Sequence, residues 1–225
     1  MKPKIADLFC GAGGAAMGLH RAGFEVVGFD IKPMPRYPFE FHLQDALTVD
    51  LSGFDAAWAS PPCQAWVRGL SAINKMLGKK HKDYPALIAP TRELLEGTGK
   101  PFIIENIPGA PIRKDVVLCG QAFGLRVFRH RWFESNLLLW APRHERHNGH
   151  TSSDMLAAYH TFENSDYLTV VGHLFRFKDG CVAMGIDWMN RNELTQAIPP
   201  AYSEFLGKQL MESLANSKIL EEVSP

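Results

Sequence analysis

Residues 1–30, "MKPKIADLFCGAGGAAMGLHRAGFEVVGFD", constrain the fold more tightly than any later stretch. "KIADLFC" is a short β-type run, "GAGG" interrupts it, "AAMGLHRAG" suits a helix closed by Gly23, and "FEVVGFDI" reads as a second strand. A strand that returns through a helix to another strand lays the two side by side and parallel. The alternation continues downstream. "FHLQDAL" follows a loop rich in proline (Pro33, Pro35, Pro38), and "FDAAWASPPCQ" is a strand running into a loop. "YPALIAPTRELLEGTG" reads as a helix ended by glycine, and "PFIIENIPG" as a strand ending in a polar pair. The predicted class is α/β, a doubly wound and mostly parallel sheet.

Past Arg131 the pattern changes. "WFESNLLLWAPRHERHNGHTSSD" is irregular and rich in His, and residues 150–182 give only short strand-like runs. "NELTQAIPPAYSEFLGKQLMESLANSKILEE" reads as one helix with Pro199 and Pro200 near its start. The expected organisation is a core over residues 1–131, a small lobe over 132–182, and a segment over 183–225 that returns to the core.

The chain has 225 residues, 46% of them hydrophobic, which is enough for one compact domain with at most a small appendage. It contains no apolar run of about 18 residues, so no membrane span is expected. The opening residues carry no apolar stretch leading to a cleavage-type site. The four cysteines, Cys10, Cys63, Cys119 and Cys181, are scattered and form no C-x-x-C pair, which argues against zinc and against a disulfide framework. A reducing cytoplasm is the expected compartment. Basic and acidic residues balance at 24 each, so the whole chain is no polyanion binder. Locally the balance breaks: residues 66–82 hold five Lys and Arg (Arg68, Lys75, Lys79, Lys80, Lys82) and no acid.

Two stretches suggest chemistry. The glycine-rich turn after the first strand lets a ligand reach the backbone and the amides opening the helix. Asp30, closing the next strand, is placed to hold a ribose diol, and the lack of a Walker lysine disfavours nucleoside triphosphates. In "SPPCQAWVRG" two prolines stiffen the backbone immediately before Cys63 at a strand end. A thiol used only for packing needs no such scaffold, whereas a nucleophile does. The histidines at 144, 147 and 150 are three apart and raise the question of zinc. With no Cys or carboxylate in the ligand pattern, no metal is expected, and phosphate contact or solvent is the preferred reading.

"DLFCGAGGAAMGLHRAGF", "SPPCQ", "ENIPG", "RVFRHRW" and "QAIPPAYSEFLG" occur in the order seen in cytosine-5 DNA methyltransferases, and the chain resembles the short phage or prophage members of that family. The resemblance implies a Rossmann-like, S-adenosylmethionine-dependent fold with a small recognition lobe. It implies methyl transfer to carbon 5 of cytosine in DNA by base flipping, in restriction protection or phage genome marking. Cys63 would add to carbon 6 of the base, Glu105 would engage ring nitrogen 3, and Arg129 with Arg131 would hold the base carbonyl and a phosphate. If extended, that arginine pair points to one face. Phe9, Gly11, Gly13, Asp30, Asp45, Ala46, Pro62 and Gln196 would surround S-adenosylmethionine, with Asp7 bracing the turn. Gln64, Arg68, Lys79 and Lys80 would meet the substrate, together with Asn106 as support of its turn. The pattern departs from the family at Val127, where Gln is usual, and at Gln196, where Asn is usual.

The expected partner is DNA, the expected state a monomer. The 132–182 stretch is small for reading several base pairs, so short or relaxed specificity is expected. Single strands, RNA and a free nucleotide stay open as substrates. Two other readings stay open as well: a binding module without turnover, and thymidylate-synthase-like chemistry, which also uses a cysteine at a pyrimidine carbon 6.

Overall fold

The computed structural model describes residues 2–67, 84–147, 161, 163, 166–172 and 174–223. Seven strands form one sheet: β1 (Lys4–Leu8), β2 (Glu25–Asp30), β3 (Glu40–Leu43), β4 (Ala56–Ala59), β5 (Phe102–Asn106), β6 (Val116–Leu118) and β7 (Arg131–Ser135). Their order is β3-β2-β1-β4-β5-β7-β6. The first five run parallel, and β7 is antiparallel to both β5 and β6. Among the described residues five α-helices accompany them: α1 (Gly14–Ala22), α2 (Ile88–Glu96), α3 (Phe177–Met184), α4 (Arg191–Gln196) and α5 (Pro200–Val223).

Alternation along each strand divides the core in two. Ile5, Trp58, Ile103 and Phe133 face α1 and α5, with Leu19, Tyr202 and Leu206 packed on them. Ala6, Leu8, Ala57, Ala59, Phe102 and Ile104 face the other way, onto Ile88 and Leu95 of α2. Period-2 side-chain placement with helices on both faces is what near-continuous apolar strands require. α1 and α5 cross closely because Gly18 and Gly207 lie at the contact: a Cβ on Gly18 would collide with the Pro200 carbonyl and the Ser203 hydroxyl. Among the described residues no helix is long and apolar enough to cross a membrane.

Three expectations need correction. The boundary after Arg131 falls at the first residue of β7, a strand inserted between β5 and β6, so the sheet continues to Ser135. Beyond it, the Trp140 main chain exchanges hydrogen bonds with the Gln209 side chain on α5, at 2.9 and 3.1 Å, and so is still tied to the core. Within 150–182, where strand-like runs are expected, Phe177–Met184 is a helix stopped by Gly185 at φ 66°. Arg176 reaches Asp179 across its first turn at 3.0 Å, and Ala183 and Met184 are buried in one cluster with Val170, Phe175 and Leu194, tertiary packing of the kind that stabilises most protein helices. Finally, the single carboxy-terminal helix is two. Asn190 and Glu193 form a capping box that opens α4, Ala197 turns extended (ψ 156°), and Pro200 is the first residue of α5. A residue before proline avoids the helical region, and proline itself is well suited to open a helix.

Candidate active site

In a sheet of this order the chain leaves β1 toward β2 and β3 on one side and crosses back to β4 on the other, opening a crevice at the carboxyl ends of the strands. Every chemistry-bearing stretch of the sequence ends there: the glycine turn after β1, Asp30 at the end of β2, Asp45 after β3, the Pro-Pro-Cys loop after β4, and Glu105 near the end of β5. β7 runs backwards, so its first residue, Arg131, arrives at the same edge.

The turn after β1 is bent by left-handed residues: Phe9 at φ 57°, Gly11 at 49° and Gly13 at 83°. Among the described residues Phe9 is one of two non-glycine residues with positive φ, a conformation that persists only when its surroundings impose it. Gly13 opens α1, and a Cβ there would lie 2.6 Å from the Pro38 ring. A Cβ on Gly11, in contrast, would meet nothing within 4 Å, so the backbone is open on that side. Asp30 accepts from the Gly11 amide at 3.1 Å and from the Lys32 amide at 3.0 Å, one to each oxygen. Each oxygen retains acceptor capacity. Asp45 caps a short 3₁₀ turn, Ala46–Thr48, by accepting from the Leu47 amide at 3.0 Å, and Ala46 is buried beneath it. Gln196 is exposed at the end of α4. Asp7 is fully buried and accepts from the Tyr37 hydroxyl at 3.1 Å; its other oxygen has no partner among the described residues. Burial pushes its carboxyl up to about 8.

The Pro-Pro-Cys loop is fastened from β5. The buried Asn106 side chain donates to the Pro61 carbonyl at 2.9 Å and accepts from the Ile107 amide at 2.9 Å. Both ends of that amide are thereby spent inside the protein, and Asn106 braces the loop. Pro62 leads into half-buried Cys63, which starts a 3₁₀ turn through the Trp66 amide bonding its carbonyl at 2.9 Å. Next to Cys63, the buried Gln64 Oε1 and Trp66 Nε1 have no partner among the described residues. Arg68, Lys79 and Lys80 lie outside the described residues.

Glu105, on β5, is 7% exposed and pairs with Arg131 Nε at 2.9 Å. It also hydrogen-bonds the hydroxyl of Ser60, which accepts from Trp58 Nε1 at 3.0 Å. Burial raises the Glu105 carboxyl, opposed chiefly by the Arg131 charge. Burial also raises the Cys63 thiol; Glu105 raises it further, while Arg131 and then Arg129 pull it down. Burial and Glu105 thus favour the neutral thiol, and the two arginines favour the thiolate.

Arg129 differs from its expected place. Its φ of 36° breaks the extended run, so it and Arg131 do not form an in-register pair on one strand face. Its buried guanidinium donates to three carbonyls: Thr195 at 2.7 Å, Ala197 at 2.8 Å and Val170 at 3.0 Å. Arg129 thus holds both sides of Gln196. Tyr202 on α5 adds its hydroxyl to the Phe128 and Arg129 carbonyls at 3.1 and 3.0 Å. Tyr202 and Ser60 are site-building residues that sequence reasoning passed over; both stand inside quoted motifs, where adjacency to Pro-Pro was the available signal. The histidine spacing also misleads. His144 and His147 approach Cys119 and His130, which are remote in sequence, while His150 lies outside the described residues.

The model of the C-5 cytosine-specific DNA methylase family matches residues 3–115. The Type II methyltransferase M.FnuDI of Fusobacterium nucleatum is 29% identical over 143 residues, which is 56% of this chain and 40% of that protein. The chain therefore spans well under two thirds of this curated relative. A DNA modification methyltransferase encoded within an E. coli prophage and the S. pombe Dnmt2 methyltransferase each superpose with a TM-score of 0.60 at 14% identity, over 95% of this chain and 99% of theirs. The Entamoeba histolytica methyltransferase EhMeth superposes at 0.56 with 11% identity and the same coverage. At these identities the structural likeness is one of fold.

Proposed function

Because the chain belongs to the C-5 cytosine-specific DNA methylase family, we propose that it methylates carbon 5 of cytosine in DNA, with Cys63 as covalent nucleophile. The observation that carries this is the convergence of Cys63, Glu105 and Arg131 at one sheet edge, with Glu105 buried and 2.9 Å from Arg131. Carbon 5 of cytosine is a weak nucleophile. As the Cys63 thiol gives its proton to solvent and its sulfur bonds to carbon 6, the ring double bond opens and its electrons collect at carbon 5. Glu105, whose carboxyl is raised by burial, is suited to share a proton with ring nitrogen 3 as that charge develops. Arg131 holds Glu105 in place. Carbon 5 would then bond the methyl group that S-adenosylmethionine supplies, the cofactor leaving as its neutral thioether; loss of the carbon 5 proton to solvent would re-form the ring double bond and expel the Cys63 sulfur.

S-adenosylmethionine supplies an electrophilic methyl group when bound. The open backbone at Gly11, the amides opening α1 and the residual acceptor capacity of Asp30 fit its amino-acid and ribose parts. The stacked base offers no face to a sulfur, so the target nucleotide leaves the helix. Gln64 Oε1 and Trp66 Nε1, one and three positions after Cys63, are buried without a partner among the described residues.

The test is methyl transfer from isotopically labelled S-adenosylmethionine to duplex DNA, single-stranded DNA, RNA and free cytidine nucleotide, with the modified base identified by mass. Labelled 5-methylcytosine in DNA is the expected product. Cofactor or DNA binding without incorporation would overturn turnover, and incorporation confined to RNA or nucleotide would overturn the substrate.

A further inference from the structure

Four side chains that no part of the mechanism uses converge around the residue between the two arginines. Cys119 follows β6 and is buried; His130 stands between the two arginines; His144 and His147 come from the irregular chain after β7. One potential ligand atom from each lies within 4.8 Å of all the others. His130 Nε2 is 2.9 Å from His144 Nε2, and Cys119 Sγ is 3.5 Å from His147 Nε2. The three imidazole centroids are almost equidistant, at 4.9, 5.0 and 5.1 Å. Rings arranged in this way surround a point and do not stack on one another. The orientation of His147 is set independently by Phe128, stacked on it at 3.8 Å, with Tyr167 against Phe128 at 4.3 Å.

We propose that Cys119, His130, His144 and His147 bind one zinc ion in a closed, structural site. Tetrahedral zinc, with bonds of about 2.0–2.1 Å to nitrogen and about 2.3 Å to sulfur, places its ligand atoms roughly 3.3–3.6 Å apart. The separations of 2.9 and 3.5 Å bracket the lower part of that range, and small ring rotations reach it. A thiolate with three imidazoles excludes magnesium and calcium, which take oxygen ligands. Four protein donors fill the coordination sphere, so no position remains for substrate. Binding releases the Cys119 thiol proton, forms one Zn–S and three Zn–N bonds, and changes no oxidation state. Among the described residues these three histidines and the cysteine make two side-chain polar contacts, both with one another.

The ion ties the end of β6 and the chain at residues 144–147 to the residue between Arg129 and Arg131. His130 also accepts at its carbonyl from Arg131 at 2.9 Å. Zinc thus acts as a positioning clamp on the segment that presents Arg131 to Glu105.

The experiment takes the full chain, produced without a polyhistidine tag, through exchange into metal-free buffer, and measures zinc by elemental analysis and native mass spectrometry. The expected result is about one zinc per chain. Cobalt(II) added to the stripped protein should give tetrahedral d–d bands with a thiolate charge-transfer band, the latter lost in Cys119→Ser. Because a Cys119 variant can unfold, exposed His144→Ala serves as the second probe, with zinc affinity falling about a hundredfold or more. Intact protein that holds no more zinc than His144→Ala, or that binds cobalt without a thiolate band, would overturn the proposal. Neither readout involves methyl transfer, so a failure here and a failure of the catalytic reading are distinguishable.

Discussion

The amino-terminal strands and the segment from β6 to α4 place functional groups at the same sheet edge by different means. In the first region the backbone does the work. β1, β2, β4 and β5 end in register, Leu8 beside Phe29 and Ala59, Ala59 beside Ile104, and each functional residue lies within a few positions of its strand end. In the second region the chain is irregular, and long side chains hold it through carbonyls far away in sequence. Arg129 spans to residues 170, 195 and 197, Tyr202 to 128 and 129, and Trp188 donates to the Ala12 carbonyl at 2.8 Å. One strategy is cooperative and local; the other concentrates a whole connection in one or two polar groups. Single substitutions should therefore do more structural damage in the second region than in the first.

The largest effect is expected at Arg129. Arg129→Met leaves three part-buried carbonyls without their donor, and with about 1 kcal/mol or more for each a loss of about 3 kcal/mol is expected in urea unfolding. Residues 166–196 should also become protease-sensitive. An unchanged midpoint would break the comparison. Gly18→Ala probes the first region where it is least forgiving, since the added methyl meets the Pro200 carbonyl backbone. Overpacking of this kind costs about 1–3 kcal/mol, read as a lowered melting temperature. Asn106→Ala frees the Pro61 carbonyl. The expected stability loss is about 1–2 kcal/mol, with kcat falling about tenfold or more because Cys63 is less well placed. A fall in stability with kcat unchanged would show that the loop is rigid without this brace.

The smallest expected effect concerns pH. The Asp7 carboxyl is raised by burial to about 8, against an ordinary value of 3.8. Between those values the folded protein binds a proton that the unfolded chain has lost. Stability from this group is therefore complete below about pH 4 and declines as pH rises through 8. Asp7→Asn keeps an acceptor for Tyr37 and removes the ionisation, so its unfolding midpoint should fall less between pH 6 and 9 than that of the parent, as followed by urea unfolding. Parallel pH profiles would show that Asp7 does not govern this slope.

The same contrast explains what the sequence reveals. Asp30, Cys63 and Glu105 are readable because each follows an apolar run long enough to mark a strand, and the strand end fixes where the side chain arrives. The parallel sheet is readable for that reason too. Arg129 and Arg131 are readable as a motif but not as geometry, because the left-handed Arg129 backbone has no signature in "RVFRHRW". The helix at Phe177–Met184 rests on tertiary packing, and the break before Pro200 on one capping box and a proline rule, none of which alters the overall periodicity. Cys119 and His130 acquire meaning only once β6 and β7 pair, with Leu118 beside Arg131.

The central claim concerns the Cys63 sulfur, and trapping its adduct tests it directly. DNA carrying 5-fluorocytosine at the target base, incubated with the protein and S-adenosylmethionine, blocks the final loss of the carbon 5 substituent. The predicted result is a stable complex of protein, DNA and one transferred methyl group, joined through the peptide containing Cys63 and absent in Cys63→Ala. Attachment through Cys10, Cys119 or Cys181, or undiminished methylation of ordinary DNA by Cys63→Ala, would contradict it.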